Sequence, residues 1–191
     1  SLLYVLDELR QSPQLTGEML ATVSILFGVF SICLFTWRKW TPVSRAWIGG
    51  KPWFVLFWVA VAALGSILPS EWAIEQIQYT MPKAVEQLFE DIMREPLGYI
   101  AIGIVAAVAE EMVFRGAVLR RLLDVSGKRW HWAAIIASAL IFGAVHGNVP
   151  QFVHGALMGL MLGWMYYRTR SVIPGIVFHC VNNTVAYVMF N

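Results

Sequence analysis

The feature that most constrains this fold is a series of long apolar runs separated by short charged stretches. The chain has 191 residues, of which 58% are hydrophobic and 14% charged, whereas soluble domains carry about 25% charged residues. Runs of about 18 or more apolar residues are long enough to cross a bilayer as helices. Because backbone hydrogen bonds must be closed within each segment in lipid, the sequence predicts an all-α, polytopic integral membrane bundle.

Six membrane-spanning helices are predicted. They cover Met19–Trp37, Trp53–Leu68, Leu97–Leu123, Trp130–His146, Phe152–Tyr167 and Ile173–Phe190. Between the second and third spans, apolar residues of the segment 70–96 recur at helical spacing among acids, which predicts an amphipathic helix at the membrane surface. We expect one compact membrane domain with two parts, an N-terminal two-span region (1–96) and a core (97–191).

Lys and Arg residues are distributed unevenly among the loops. Ten follow the first, third and fifth spans: Arg38, Lys39, Arg45, Lys51, Arg120, Arg121, Lys128, Arg129, Arg168 and Arg170. The other side has only Arg10, Lys83 and Arg94. Because basic loops stay in the cytoplasm, this split predicts a multi-pass protein of the inner (cytoplasmic) membrane with both termini outside. The first span has neither a basic segment before it nor a small-residue cleavage site after it, so we expect it to be retained.

Two further composition features narrow the possible functions. Cys33 and Cys180 both fall in predicted spans, where a small buried hydrophobic residue is expected rather than a disulfide or a metal ligand. The basic residues form no face suited to nucleic acid. The expected partners are therefore the lipid bilayer and a molecule in or at the membrane.

Several polar side chains interrupt the apolar spans, and these are the candidate functional residues. Ionisable groups inside a membrane segment are costly, so they usually face a protein interior or a water-filled cavity. Residues four apart share a helix face, so Glu111 is expected to pair with Arg115, and His179 and Asn183 to face one cavity. Glu110, rotated by about 100° from its neighbour, has no Arg partner and can act as a general base.

The remaining histidines receive separate interpretations. His146 stands at the end of an apolar span and joins the candidate site. His154 is expected to pack between helices or to line a cavity. His131 lies between Trp130 and Trp132 at a predicted interface and is expected at the level of the lipid headgroups.

Three motifs in the second half of the chain resemble the CPBP family of CAAX proteases and bacteriocin-processing enzymes. The family's EExxxR motif matches Glu110–Arg115, its FxxxH motif matches Phe142–His146, and its HxxxN motif matches His179–Asn183. All three occur in order, each within an apolar span. The resemblance covers about Gly98 to the C-terminus.

This resemblance implies a glutamic-type intramembrane endopeptidase that needs no metal or other cofactor. Glu110 and His146 would activate a water, while His179 and Asn183 would stabilise the oxyanion. Glu111, Arg115 and Phe142 would support these groups. The implied substrate is a peptide or protein in or at the membrane, such as a precursor or a C-terminal sorting peptide.

Two other functions are compatible with the same residues. Glu110, His146 and His179 are a possible zinc triad with an open fourth position, which would make the chain a zinc-dependent protease. A proton-coupled carrier or a toxin-binding immunity protein would use the same polar residues without catalysis, although transporters tend to have repeated halves and this chain has none.

Overall fold

The computed structural model describes residues 16–41, 45–77 and 82–191, without the side chains of residues 45, 46 and 128. The N-terminal stretch 1–15, which includes Arg10, lies outside the described residues. The described chain is helical throughout its regular elements. Its principal helices are α1 (Gly17–Trp37), α2 (Arg45–Gly49), α3 (Trp53–Glu75), α4 (Lys83–Met93), α5 (Pro96–Ser126), α6 (His131–Ala144), α7 (Val149–Thr169) and α8 (Ile173–Phe190).

Four of these helices, α1, α3, α5 and α8, are long and apolar enough to cross a membrane. The all-α membrane bundle is therefore confirmed, while the count of six spans is not. Helix α6 has only 14 residues, which at 1.5 Å per residue is about 21 Å, less than the roughly 30 Å hydrocarbon core. Helix α7 has 21 residues but contains polar residues such as Gln151 and Arg168, which lower its hydropathy.

Helix α3 is longer than the second predicted span. It continues through Pro69 to Glu75, so the beginning of the segment assigned to the amphipathic helix belongs to the span instead. The separate amphipathic helix α4 is shorter, and it buries Leu88, Ile92 and Met93. Leu88 and Ile92 pack with α1 and α5, so α4 lies against the bundle with its acidic face outward.

Small residues allow α6 and α7 to pack closely. Gly143 of α6 lies against the backbone of α7 at Phe152, and Gly159 of α7 lies against Ala139. A side chain at either glycine would separate the two helices, since close backbone approach in membrane bundles depends on small residues. A buried apolar cluster then joins these helices to α3 and α8. It contains Val59, Ala63, Phe142, Met158, Leu162, Met165 and Phe178.

Helix α5 carries the two glutamates and is not a uniform α-helix. The α-helical turn Ala107–Glu111 lies between two π-helical segments, Tyr99–Ala106 and Met112–Leu119. Wider π turns inside a helix change the direction in which the following side chains point, and they are frequent at functional sites. Thr41, just after α1, donates a hydrogen bond of 2.5 Å to the Met112 carbonyl in the second wide segment, and so secures this stretch.

Candidate functional site

An ion pair between Glu111 and Arg115 forms the buried base of the site. Arg115 Nη1 lies 2.8 Å from Glu111 Oε1, and the side chains are 1% and 0% exposed, respectively. The ion pair predicted from their four-residue spacing is thus present. Gly175, near the start of α8, provides the space for this carboxylate, because a Cβ at that position would come within 2.5 Å of Glu111 Oε2.

Phe142 connects the ion pair to both candidate histidines. The guanidinium carbon of Arg115 lies 4.3 Å from the centre of the Phe142 ring, an arrangement in which the aromatic face attracts the cation. The same ring contacts His146 and His179 edge-to-face, with centroid distances of 5.2 and 5.9 Å. Phe142 is fully buried, so it fixes the relative positions of three polar side chains.

His179 lies between the two glutamates. Its Nδ1 is 3.2 Å from Glu111 Oε1, and its Nε2 is 3.7 Å from Glu110 Oε2. An ionised carboxylate can only accept hydrogen bonds, so Nδ1 carries a hydrogen when it bonds to Glu111. The ring can donate from Nε2 at the same time only when it carries both protons. The sequence predicted only a shared cavity with Asn183, and the contact with both acids was not anticipated.

His146 and Asn183 are each held by a backbone carbonyl. His146 Nδ1 lies 2.9 Å from the Phe142 carbonyl oxygen, which fixes the hydrogen on Nδ1 and leaves the Nε2 lone pair of the neutral ring as an acceptor. Asn183 Nδ2 donates a 2.9 Å hydrogen bond to the Ile102 carbonyl of α5. An amide nitrogen carries two hydrogens, so one remains for a ligand.

All four predicted catalytic residues, Glu110, His146, His179 and Asn183, line one cavity of about 950 Å³. This volume is at the upper end of the range for ligand sites. Most of the wall is apolar, and the side chain of Glu110 is 34% exposed. Glu111 and Arg115 do not belong to the wall, because both are buried behind it.

Three further polar residues belong to this region. His154 and Asn182 line the cavity, and Ser70 Oγ of α3 lies 2.8 Å from His154 Nδ1. His154 was expected to line a cavity or pack between helices, and it does line one. Asn182 follows His179 by three residues, so helix periodicity could have identified it. Ser70 gives no comparable signal, since a serine in a helix usually bonds to its own backbone.

The residues of the possible zinc triad do not form a metal-binding arrangement. Among the described residues, no group of three or more His, Cys, Asp or Glu side chains is placed to hold a metal ion. The Nδ1 atoms of His179 and His146 bond to Glu111 and to the Phe142 carbonyl, respectively. The arrangement provides a carboxylate, a ring-nitrogen acceptor and two donors around a common space, which is the set that hydrolysis by a bound water needs.

The fold and site define a class of protein: a multi-pass membrane protein with an ionisable site inside its helical bundle. The family model for the Rce1-like type II CAAX prenyl endopeptidases matches residues 93–185, just under half of the chain. Over these residues the chain is similar to the CAAX protease family, in agreement with the resemblance predicted from the three motifs.

One curated relative supports this similarity. The protein named "Putative membrane peptidase YdiL" from Bacillus subtilis (strain 168) is 28% identical over 104 residues. The matched stretch covers 54% of this chain and 41% of that protein, so the chain spans about two fifths of the relative's length. No solved structure matches the chain.

Proposed function

We propose that this protein is a glutamic-type intramembrane endopeptidase that cleaves a peptide bond of a membrane-associated or precursor peptide. The observation that carries the proposal is that Glu110 of α5, His146 in the turn after α6, and His179 and Asn183 of α8 line one cavity inside an apolar bundle. Placing polar and ionisable groups inside a membrane bundle costs free energy, so the residues found there usually have a function. The match to the family model of the Rce1-like CAAX prenyl endopeptidases and the name of the Bacillus relative support the same activity.

Glu110 and His146 activate the attacking water in this proposal. The Glu110 carboxylate is partly exposed to the cavity and has no Arg partner among the described ion pairs, so it can take a proton from water. The His146 Nε2 lone pair accepts the second hydrogen of that water and orients it. As the water oxygen bonds to the carbonyl carbon, its proton passes to Glu110.

His179 and Asn183 stabilise the negative oxygen that forms on the carbonyl. Glu111 accepts a hydrogen bond from His179 Nδ1, and His179 lines the cavity, so in this proposal a hydrogen on Nε2 is donated to the oxyanion. The free amide hydrogen of Asn183 is the second donor. A fixed donor of this kind contributes about 10²–10³ in rate. The C–N bond then breaks, and the proton on Glu110 moves to the departing nitrogen.

The experiment that tests this function compares peptide termini in membrane and secreted proteins from cells that carry different versions of the protein. The versions are the wild type, Glu110→Gln and Glu86→Gln, the last being an exposed acid on α4 outside the cavity wall. We expect new termini in the wild type and in Glu86→Gln, and their loss in Glu110→Gln. Equal termini in all three would overturn the proposal.

A chelator distinguishes the glutamic mechanism from the zinc mechanism. Cleavage by the purified protein should continue unchanged after treatment with a strong zinc chelator, because no step uses a metal. Loss of cleavage on chelation, with recovery on adding zinc, would replace the glutamic mechanism with a metal-dependent one on the same residues.

A further inference from the structure

The cavity occupies only one half of the helical bundle. It begins at the end where α3 finishes, α7 starts and α8 finishes, and α4 contributes Phe89 and Ile92 to its wall. The wall residues furthest from this end are Ser31 on α1, Ile67 on α3, Phe114 on α5, Met158 on α7 and His179 on α8. No described residue of the opposite end, where α1 and α7 finish and α8 starts, lines the cavity. We assign the mouth to the α4 end, because the wall reaches that end and not the opposite one.

The two ends of the bundle differ in charge. The end opposite the mouth carries most of the described cations: Arg38, Lys39, Lys51, Arg120, Arg121, Arg129, Arg168 and Arg170. The mouth end has Lys83 and Arg94 as its described cations, among seven acids. Under the positive-inside rule, the cation-rich end lies in the cytoplasm and the mouth end lies outside.

The charged residues of the cavity wall restrict which ligands can bind in it. Among the described wall residues, Glu71 and Glu110 are the acids, and there is no Lys or Arg. A ligand that ends in a carboxylate or carries a phosphate would find no guanidinium or ammonium partner. A Lys or Arg on the ligand would instead meet Glu71, which is exposed near the end of α3.

Glu71 lies on the same wall as the catalytic residues. It follows Ser70, whose hydroxyl is 2.8 Å from His154 Nδ1, and both Glu71 and His154 line the cavity.

We propose, on the basis of the function proposed above, that the cavity opens on the outer side of the membrane and takes an extended apolar peptide segment. The segment carries a Lys or Arg beside Glu71, to one side of the bond that is cut. The substrate class is then an outward-facing membrane segment with a basic flank, cut within the chain rather than at a free carboxyl end.

Cysteine labelling tests the side on which the cavity opens, and it does not depend on catalysis. In a chain with Cys33→Ser and Cys180→Ala, single cysteines are introduced as Gln151→Cys or Ala186→Cys in the wall, and as Arg121→Cys at the opposite end. A membrane-impermeant maleimide is added to right-side-out and to inverted vesicles. We expect the wall cysteines to react in right-side-out vesicles and the Arg121→Cys chain to react in inverted ones.

The reverse pattern would overturn the proposed sidedness. Repeating the labelling with Glu110→Gln should give the same pattern, because the position of the mouth does not require an active site. A chain that labels as expected but cleaves nothing would therefore count against the proposed function alone. Unchanged thermal midpoints of the labelled chains in detergent show that they remain folded.

Peptide protection tests the preference for a basic flank. Blocked ten-residue peptides of Leu and Ala, with a single Lys or a single Glu near one end, are added to the purified Ala186→Cys chain carrying Glu110→Gln. We expect the Lys peptide to slow maleimide labelling at about two- to five-fold lower concentration, as expected for one exposed ion pair. Glu71→Gln should remove this difference, and Glu86→Gln should keep it. Equal protection by both peptides, or stronger protection by the Glu peptide, would overturn the basic-flank assignment.

Discussion

Glu110 and Glu111 are neighbours in sequence with different surroundings in the structure. Glu111 is fully buried and pairs with Arg115, whereas the Glu110 side chain is 34% exposed and faces the cavity. The two side chains are chemically identical, so any difference between their variants reports on environment alone. Variants of the two residues therefore test directly whether Glu111 supports the site and Glu110 reacts.

Glu111→Gln should destabilise the protein. Removing one partner of a buried ion pair leaves an uncompensated charge, at a cost of about 3–5 kcal/mol, because the low dielectric around Arg115 cannot solvate it. We expect a lower thermal midpoint in detergent and a lower yield of folded protein. Glu110→Gln should leave the midpoint unchanged or raise it, since a neutral group replaces an acid that has no Arg partner.

The double variant Glu111→Gln/Arg115→Met is the control for this explanation. It leaves no orphan charge, so its loss of stability should be smaller than the sum of the two single losses. If Glu110→Gln melts early while Glu111→Gln folds normally and is inactive, the two carboxylates have been assigned the wrong roles.

Gly175→Ala should disturb the same carboxylate without changing any charge. The new methyl group would come within 2.5 Å of Glu111 Oε2, which is too close for the buried ion pair to stay in place. We expect reduced stability and reduced cleavage, measured by thermal midpoint and by turnover. Gly65→Ala is the matched control, because a Cβ at Gly65 meets nothing within 4 Å. Equal behaviour of the two variants would contradict this role for Gly175.

The sequence predicts contacts between residues that are close in the chain better than contacts between residues that are far apart in it. The Glu111–Arg115 pair follows from helix periodicity, because the partners are four residues apart. The contact between His179 and Glu111 joins residues 68 positions apart, and periodicity within one helix does not determine such contacts. For the same reason, the bond between Asn183 and the Ile102 carbonyl of α5 could not be anticipated.

At the scale of elements, α3 connects the N-terminal part of the chain to the site. Helix α3 lies outside the segment that matches the family, yet Ser70 reaches His154 of α7 at the cavity. The same helix packs against α7 and α8 through Val59 and Ala63. Helix α3, in the N-terminal two-span region, therefore helps to hold the cavity residues in position.

Ser70→Ala should weaken this connection. It removes the hydrogen bond to His154 Nδ1, and hydrogen bonds between helices in membrane proteins contribute about 0.6–1.7 kcal/mol. Thermal unfolding in detergent should show a small decrease in midpoint. Ser66→Ala is the comparison, because the Ser66 hydroxyl donates to the Ala63 carbonyl within its own helix and bonds to no other helix among the described residues. A larger loss in Ser66→Ala than in Ser70→Ala would contradict the proposed connection.

Hydropathy predicts the existence of helices more reliably than their ends. The last helix, Ile173–Phe190, has the predicted bounds, because charged and polar residues limit it on one side. The second predicted span, α3, extends seven residues beyond the predicted end at Leu68, to Glu75. Pro69 and the acids that follow it resemble a helix end, but packing against the bundle continues there through the buried Ser70.

At the scale of the whole molecule, the uneven distribution of basic residues sets an expected orientation. Reporter fusions after Asn191 and within 71–77 or 82–95 should show the outer side, and fusions within Lys39–Lys51 should show the inner side. Activity of enzyme reporters that work on only one side of the membrane provides the measurement. The reverse pattern would overturn both the orientation and the proposed position of the cavity mouth.

The class of protein was predictable from sequence, whereas the shape of the cavity was not. Long apolar runs alone predict a helical membrane bundle, because lipid permits few other structures. The large cavity of about 950 Å³ depends on how α1, α3 and α4 close around the core, and these packing relationships involve residues far apart in sequence. The position of the cavity in one half of the bundle is seen in the three-dimensional structure and could not be predicted from the sequence.

Turnover by the purified protein on a substrate identified from its cleaved termini tests the central claim most directly. The rate is measured for the wild type, Glu110→Gln, His146→Ala and the double variant. Because Glu110 and His146 act on one water, each single change should reduce the rate by at least about 10²-fold, and the double variant should be no slower than the slower single variant. A Glu110→Gln protein that cleaves at the wild-type rate would contradict the account.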